Sequence, residues 1–295
     1  ATAGGAGADI DLDTIDDDTN ATRRRLTLNA GADGDVEIAG AVGGFRPLGT
    51  LELIGDELDL GGNITADNLD VDSVALDVTL TADVDITVDD SDINIGATDI
   101  NGAQALSIDA GTGTVTIPTV AGQTDVDIRG GEISASGIDT SATGGNIALT
   151  STTGSIEIDD TITTALAAGG GRVTIISADA IDMQAITTTA AAGDGGNVTL
   201  HAVSSLTVND NDITALGGGG GAGGVVSVTS DFGSADLDDV STTGDDAGSG
   251  GEIVVTALNG AIVIASADSV GGAAGAGANQ TYTATAIELG AGGGV

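Results

Sequence analysis

The sequence predicts an all-β chain wound as a parallel β-helix, a β-solenoid with about 25–28 residues in each three-strand coil. Three observations carry the prediction. The apolar side chains are nearly all Ala, Val, Ile and Leu, a glycine pair recurs at a near-constant interval, and apolar and polar residues alternate behind each pair.

Aromatic residues make up 1% of the chain and there is a single Met, which argues against a globular core built on large side chains. Ile, Val and Thr are stiff at the first side-chain torsion and suit a pleated surface. Disorder is the rival reading, because 50 Gly and a formal net charge of -39 both suit an unfolded chain. Against it, 40% hydrophobic residues in regular alternation exceed what a solvated tail carries.

Setting the second glycine of each pair in register, at Gly145, Gly171, Gly196, Gly224 and Gly251, gives intervals of 26, 25, 28 and 27 residues. Apolar pairs then align behind it: Ile147 and Leu149, Val173 and Ile175, Val198 and Leu200, Val226 and Val228, Ile253 and Val255. Each pair is i, i+2, one face of a strand. A second set follows at Ile156 and Ile158, Ile181 and Met183, Leu206 and Val208, Ala235 and Leu237, Ile262 and Ile264. A third, single position comes at Ile162, Ile186, Ile213, Val240 and Val270.

Such a repeat cannot bury its own apolar face, but stacked copies bury a continuous column. Length over period gives roughly eleven coils, a rod on the order of 50 Å at about 4.8 Å per coil. The variation in period falls in ALAAGGG, AAAGDGG, GGGGGAGG and TGDDAGSGG, where a loop absorbs it because closure entropy grows slowly with length.

The first half follows a looser version of the rule. Leu26 aligns with Leu106, Leu28 with Ile108, and Val36 and Ile38 with Val115 and Ile117; Pro47 and Pro118 then follow equivalent strands. Aliphatic and acidic residues alternate between these stretches, giving strands apolar inside and anionic outside. No boundary stands out, so residues 1–295 are expected to form one domain, with looser acidic coils over 1–140 and regular glycine-initiated coils over 141–295.

Phrases such as LTLNAGADGDVEIAGAVGG, GGNIALTSTTGSIEI and ANQTYTATAIELG resemble the repeats of very large bacterial surface proteins of the filamentous-haemagglutinin-like and adhesin type. The resemblance implies secretion to the cell surface, a β-helical shaft, and an adhesive or structural role. The family's amino-terminal secretion domain is lacking, which fits an excerpt of something longer.

Charge narrows the partners. All six basic residues are Arg, three of them at Arg23, Arg24 and Arg25, so no basic surface tracks phosphates and nucleic acid is not expected. The Arg run is either a solvated outer strand or a contact for an acidic neighbouring copy. Zero Cys excludes disulfides and thiolate metal sites. No apolar run is long enough for a membrane helix, and Phe45, Phe232 and Tyr282 cannot supply the aromatic girdles of a membrane barrel.

No catalytic residue and no organic cofactor are expected. The sole His201 falls on an outward position with no orienting group in the sequence beside it, and 45 acids make any carboxylate pair uninformative. The stacked acids are the stronger signal. In the corner after the second strand the coils carry Asp159 and Asp160, Gln184, Asp210 and Asp212, Asp238 and Asp239, then Asp268. Asp210, Asp212, Asp238 and Asp239 on neighbouring rungs are a candidate Ca²⁺ site, since Ca²⁺ accepts six to eight oxygen ligands; a solvated anionic edge that resists aggregation is the alternative. GGAGADIDL, from Gly4, follows a calcium-repeat pattern only through Asp9, and the sequons at Asn20, Asn63, Asn197 and Asn279 are expected by chance in an Asn- and Thr-rich chain.

GADIDLD at Gly7 reads as a coil already under way, and the tail as the opening of another, with Tyr282 and Ile287 as core residues. Uncapped ends favour continuation, either within a longer covalent rod or by head-to-tail stacking of copies. The expected function is an extracellular structural shaft or self-assembling filament, and the runner-up is an adhesin segment that binds a glycan, a host or a neighbouring cell.

Overall fold

The computed structural model describes residues 7–17, 22–74, 77–166, 168–209 and 212–289. The chain is all-β, with 27 strands, parallel strand pairing and no helix among the described residues. It winds as a β-solenoid of three faces, and the coils number about 11 in all. It divides into two compact units, Ala1–Ser136 and Gly137–Val295, each described in turn.

In the second unit the columns follow the glycine register. On the first face Ile147, Val173, Val198, Val226 and Ile253 pair rung to rung, with Leu149, Ile175, Leu200, Val228 and Val255 beside them. On the second face Ile156, Ile181, Leu206, Ala235, Ile262 and Ile287 form one column. All of these but Ile287 are buried. Each aliphatic side chain removed from water contributes about 1.5–3 kcal/mol, and the column is continuous only when the rungs stack.

The third face holds Ile162, Ile186, Ile213 and Val240, and here the last assignment is corrected. Val240 pairs with Ala267, whereas Val270 is 54% exposed. The strand Ile253–Asp268 crosses all three faces without a loop, so the inward position arrives three residues earlier and is filled by a small residue. Strands Ile156–Thr163, Ile181–Thr187 and Ala235–Ser241 likewise join the second and third faces in one bent strand.

The glycine pairs sit where the loop returns from the third face to the first. A Cβ at Gly171, Gly196, Gly224 or Gly251 would collide with the carbonyl oxygen of the preceding pair's second glycine, Gly145, Gly171, Gly196 and Gly224 respectively. Backbones there stack at a distance that leaves no room for a side chain.

A buried hydroxyl closes three of these four loops. Thr164, Thr188 and Thr242, all fully buried, donate their hydroxyls to the carbonyls of Gly171, Gly196 and Gly251 at 2.8, 2.7 and 2.7 Å. In return the N–H groups of those glycines donate to the three threonine carbonyls. The clasp spans 7, 8 and 9 residues in the three loops, so the excursion between its jaws changes length without disturbing the strands. A second inward hydroxyl column marks the next corner, where Ser151, Ser177 and Ser230 donate to the carbonyls of Gly154, Ala180 and Gly233.

The first unit has the same three faces with tighter coils. The third face runs Ile10, Val36, Leu58, Val78, Ile100, Val120, so after the first rung successive partners are 22, 20, 22 and 20 residues apart. The corners are shorter because the Gly/Ala excursion is absent. The expected alignment of this half is out of phase by one face. Leu26 stacks through Leu51, Leu69 and Ile93 onto Val115, not Leu106, which belongs with Val84 and Val126. Val36 likewise stacks toward Val120 rather than Val115. Pro47 and Pro118 therefore occupy different corners, one before Leu48–Gly55 on the second face and one between the second and third faces. Every face carries the same apolar, polar, apolar signature, and without the glycine pairs nothing in the sequence sets its phase.

Candidate functional site

The acidic corner of the second unit lies between its second and third faces. Asp210 falls outside the described residues. Asp212 is exposed, and Asp238 and Asp239 are half-buried on the next rung. Partial burial raises the Asp212 carboxyl above its ordinary value, and the charges of Asp239 and Asp238 raise it further, so the three groups share one electrostatic neighbourhood. Asp239 accepts a hydrogen bond from the hydroxyl of Ser266, its partner one rung on. Among the described residues no group of three or more His, Cys, Asp or Glu side chains converges as a metal site requires. Asp160 is turned to its own neighbour, accepting from the N–H and hydroxyl of Thr161.

Many other carboxylates hold the coil together, a role that sequence reasoning missed. Asp83, Asp90 and Asp92 accept the N–H groups of Ala105, Thr112 and Thr114 at 2.9, 2.9 and 2.8 Å, each 22 residues later. Asp194 accepts from Ala222 at 2.8 Å, and Asn146 and Asn197 accept from Arg172 and Val225 in the same way. A parallel ladder leaves N–H groups unpaired where strands bend away at a corner. A short acceptor side chain on the rung before satisfies them, as an N-cap does for a helix.

Carboxylates also line up rung over rung. On the third face of the first unit Asp11, Glu37 and Asp59 are in-register partners on successive rungs. Burial, then Glu37 and Asp35, push the Asp59 carboxyl above its ordinary value. On the second face the opposite arrangement holds. Glu52 accepts from the Thr27 hydroxyl and from Arg25, both at 2.6 Å, which lowers its carboxyl below the usual range. Arg23 pairs with Asp67, with Asp89 also within reach, and Arg129 pairs with its rung partner Asp109 at 3.1 Å.

His201 occupies the outward position expected, between Ile176 and Thr229. The structure adds an orienting group that the sequence hid: Asp231, 30 residues on, lies 3.1 Å from His201 Nε2. Tyr282 stacks beneath Val255 and is half-buried, while Ile287 stacks on Ile262 and is 46% exposed. An open groove of about 430 Å³ runs across four rungs of the second face, its outward lining Thr207, Asn209, Asp236, Asp238, Val263 and Glu288.

No protein-family model matches the chain, and no curated protein or solved structure is significantly similar to it.

Proposed function

We propose that the chain is an extracellular structural β-solenoid, a shaft or a head-to-tail surface filament of the kind formed by filamentous-haemagglutinin-like surface proteins. The observation that carries the reading is the rung-to-rung register itself. Parallel pairing gives each rung the same backbone template as its neighbour, and coils so built extend by addition. Ile287 and Leu289, inward on the strand Gln280–Leu289, are 46% and 45% exposed. A further coil, from a second copy or from adjoining sequence, would cover both. The acidic exterior keeps such a fibre soluble and makes it sensitive to cations. Asp212, Asp238 and Asp239, with Asp210 beside them in sequence, are the proposed Ca²⁺ ligands.

The groove on the second face favours an adhesin reading as the second one, in which its hydroxyl, amide and carboxylate lining would take a glycan. Electron microscopy of the purified chain with calcium and then with a chelator tests the first reading. Fibres that disperse on chelation are expected. Discrete short particles indifferent to calcium overturn self-assembly, and a specific hit on a glycan array would favour the second reading.

A further inference from the structure

The first and the last described coils each leave inward side chains short of cover. Ile10, Leu12, Ile15 and Leu26 are half-buried, whereas their partners one rung on, Val36, Ile38, Val42 and Leu51, are at most 1% exposed. In the last coil Tyr282 is half-buried and Ile287 and Leu289 are 46% and 45% exposed, whereas Val255, Ile262 and Ile264 one rung before are at most 1% exposed. Among the described residues each of these outermost strands has a neighbour on one side, so its other edge offers N–H and C=O groups to a further strand.

The two surfaces match in phase. The faces follow one another as first, second, third; the strand Gln280–Leu289 finishes on the second face and Ile10–Leu12 lies on the third. The step of one spiral therefore fits the step of another. Ile10 of a second copy comes over Ala267 on the third face, Ile15 over Tyr282 on the first, and Leu26 and Leu28 over Ile287 and Leu289 on the second. A slip of two residues would set the small Ala30 over Leu289 and leave Leu26 without an apolar partner.

Charge favours the same seating. Thr27 and Arg25 donate to Glu52 at 2.6 Å, and Glu52 is the rung partner of Thr27. Glu288, exposed between Ile287 and Leu289, takes the equivalent place on the other side of Thr27. Arg25 gives Glu52 one of its five donors and has others for Glu288. The opposing contact is Asp11 over Asp268, like over like. The fold already bears that arrangement within one copy, where Asp11, Glu37 and Asp59 are successive partners.

We propose that copies of the chain join head to tail in this one register, with Arg25–Asn29 of one copy seated on residues 286–289 of another and Glu288 tied to Thr27 and Arg25. The inference rests on the filament reading and adds to it the mating surfaces and their charges.

The chain has no Cys, so an engineered pair reports this contact alone. In-register partners on adjacent parallel strands lie about 4.8 Å apart, within the Cα separation of a disulfide, whereas positions two residues out of register lie about 8 Å apart and cannot be bridged. Oxidised T27C/E288C should run on a non-reducing gel as a ladder of multiples of the chain mass, and T27C/A286C should not. Glu288→Arg should raise the concentration at which fibres form about fivefold, and Asp268→Asn should lower it by about the same factor. Circular dichroism of the reduced chains checks that each variant is folded. Parent fibres without a T27C/E288C ladder, or with a T27C/A286C ladder in its place, overturn the register and leave the filament reading standing. A parent chain that stays monomeric overturns the filament reading and the register with it.

Discussion

The Thr242 hydroxyl donates to the Gly251 carbonyl at 2.7 Å while the Gly251 N–H donates to the Thr242 carbonyl at 2.7 Å. This reciprocal pair bridges the loop between the third and first faces. Thr242→Val keeps the shape and removes one of the two hydroxyls on the Gly251 carbonyl, the other being that of Ser269 at 2.6 Å, so unfolding free energy should fall by about 0.5–1.5 kcal/mol, the net worth of one hydrogen bond. Ala215 holds the same place one coil earlier and has no hydroxyl to offer Gly224, although the Gly224 N–H still donates to its carbonyl at 2.8 Å. Ala215→Thr should therefore complete the column and stabilise the chain by about 1 kcal/mol. Urea unfolding of both variants checks the pair; a stabilised Thr242→Val would show the clasp to be dispensable.

Glycine is required for two different reasons, and substitution separates them. A Cβ at Gly224 would strike the Gly196 carbonyl, backbone that cannot rotate away. Gly224→Ala should thus cost about 3 kcal/mol or more, at or beyond the upper end for overpacking a rigid site. At Gly220, φ is +91° and nothing lies within 4 Å of the place a Cβ would take, so Gly220→Ala meets only the left-handed backbone penalty of about 1–2 kcal/mol. Thermal melts of the two variants should rank them in that order.

The repeating columns of the second unit were legible because the second glycine fixes a common origin and its stacking leaves no freedom of phase. The first unit lacks that mark. Leu26 could be placed beside Leu106 because both precede an apolar i+2 partner, and only the rung count assigns it to Val115. The clasp threonines had a signal that went unread: Thr164, Thr188 and Thr242 each follow an inward Ile162, Ile186 or Val240 by two residues and so share its face. Asp231 beside His201 had none, since 30 residues and a corner separate them. The acids were legible as an outer coat but not as caps, because capping depends on which N–H the corner leaves unpaired.

Capping and charge predict different responses to the same substitution. Asp92→Ala removes the acceptor for the Thr114 N–H and should cost about 1 kcal/mol, in the range of a lost helix N-cap. Asp92→Asn retains an acceptor oxygen and should recover most of that loss. Were repulsion among the acids to outweigh capping, both variants would stabilise the chain instead. Amide hydrogen exchange at Thr114 gives a local reading, with faster exchange expected for Asp92→Ala alone.

Asp59 and Glu52 should pull the pH dependence in opposite directions. The Asp59 carboxyl titrates above its ordinary value, through burial first and then Glu37 and Asp35, so the folded chain binds its proton more readily than the unfolded chain does. Its ionised form burdens the fold at neutral pH, and the burden lifts as pH falls through the raised value toward about 3.9, the ordinary aspartate value. Asp59→Asn should therefore stabilise the chain at neutral pH, with a gain that shrinks through that window. Glu52 is the reverse case, lowered by the Thr27 hydroxyl and then by Arg25. Its contribution is fully present above about 4.3, the ordinary glutamate value, and is lost as pH falls through the lowered one. Glu52→Gln should destabilise at neutral pH and match the parent chain in acid. Urea midpoints measured from neutral pH down to about pH 3 should show the two difference curves approaching zero from opposite sides. Parallel curves would mean that neither rung senses its neighbour's charge.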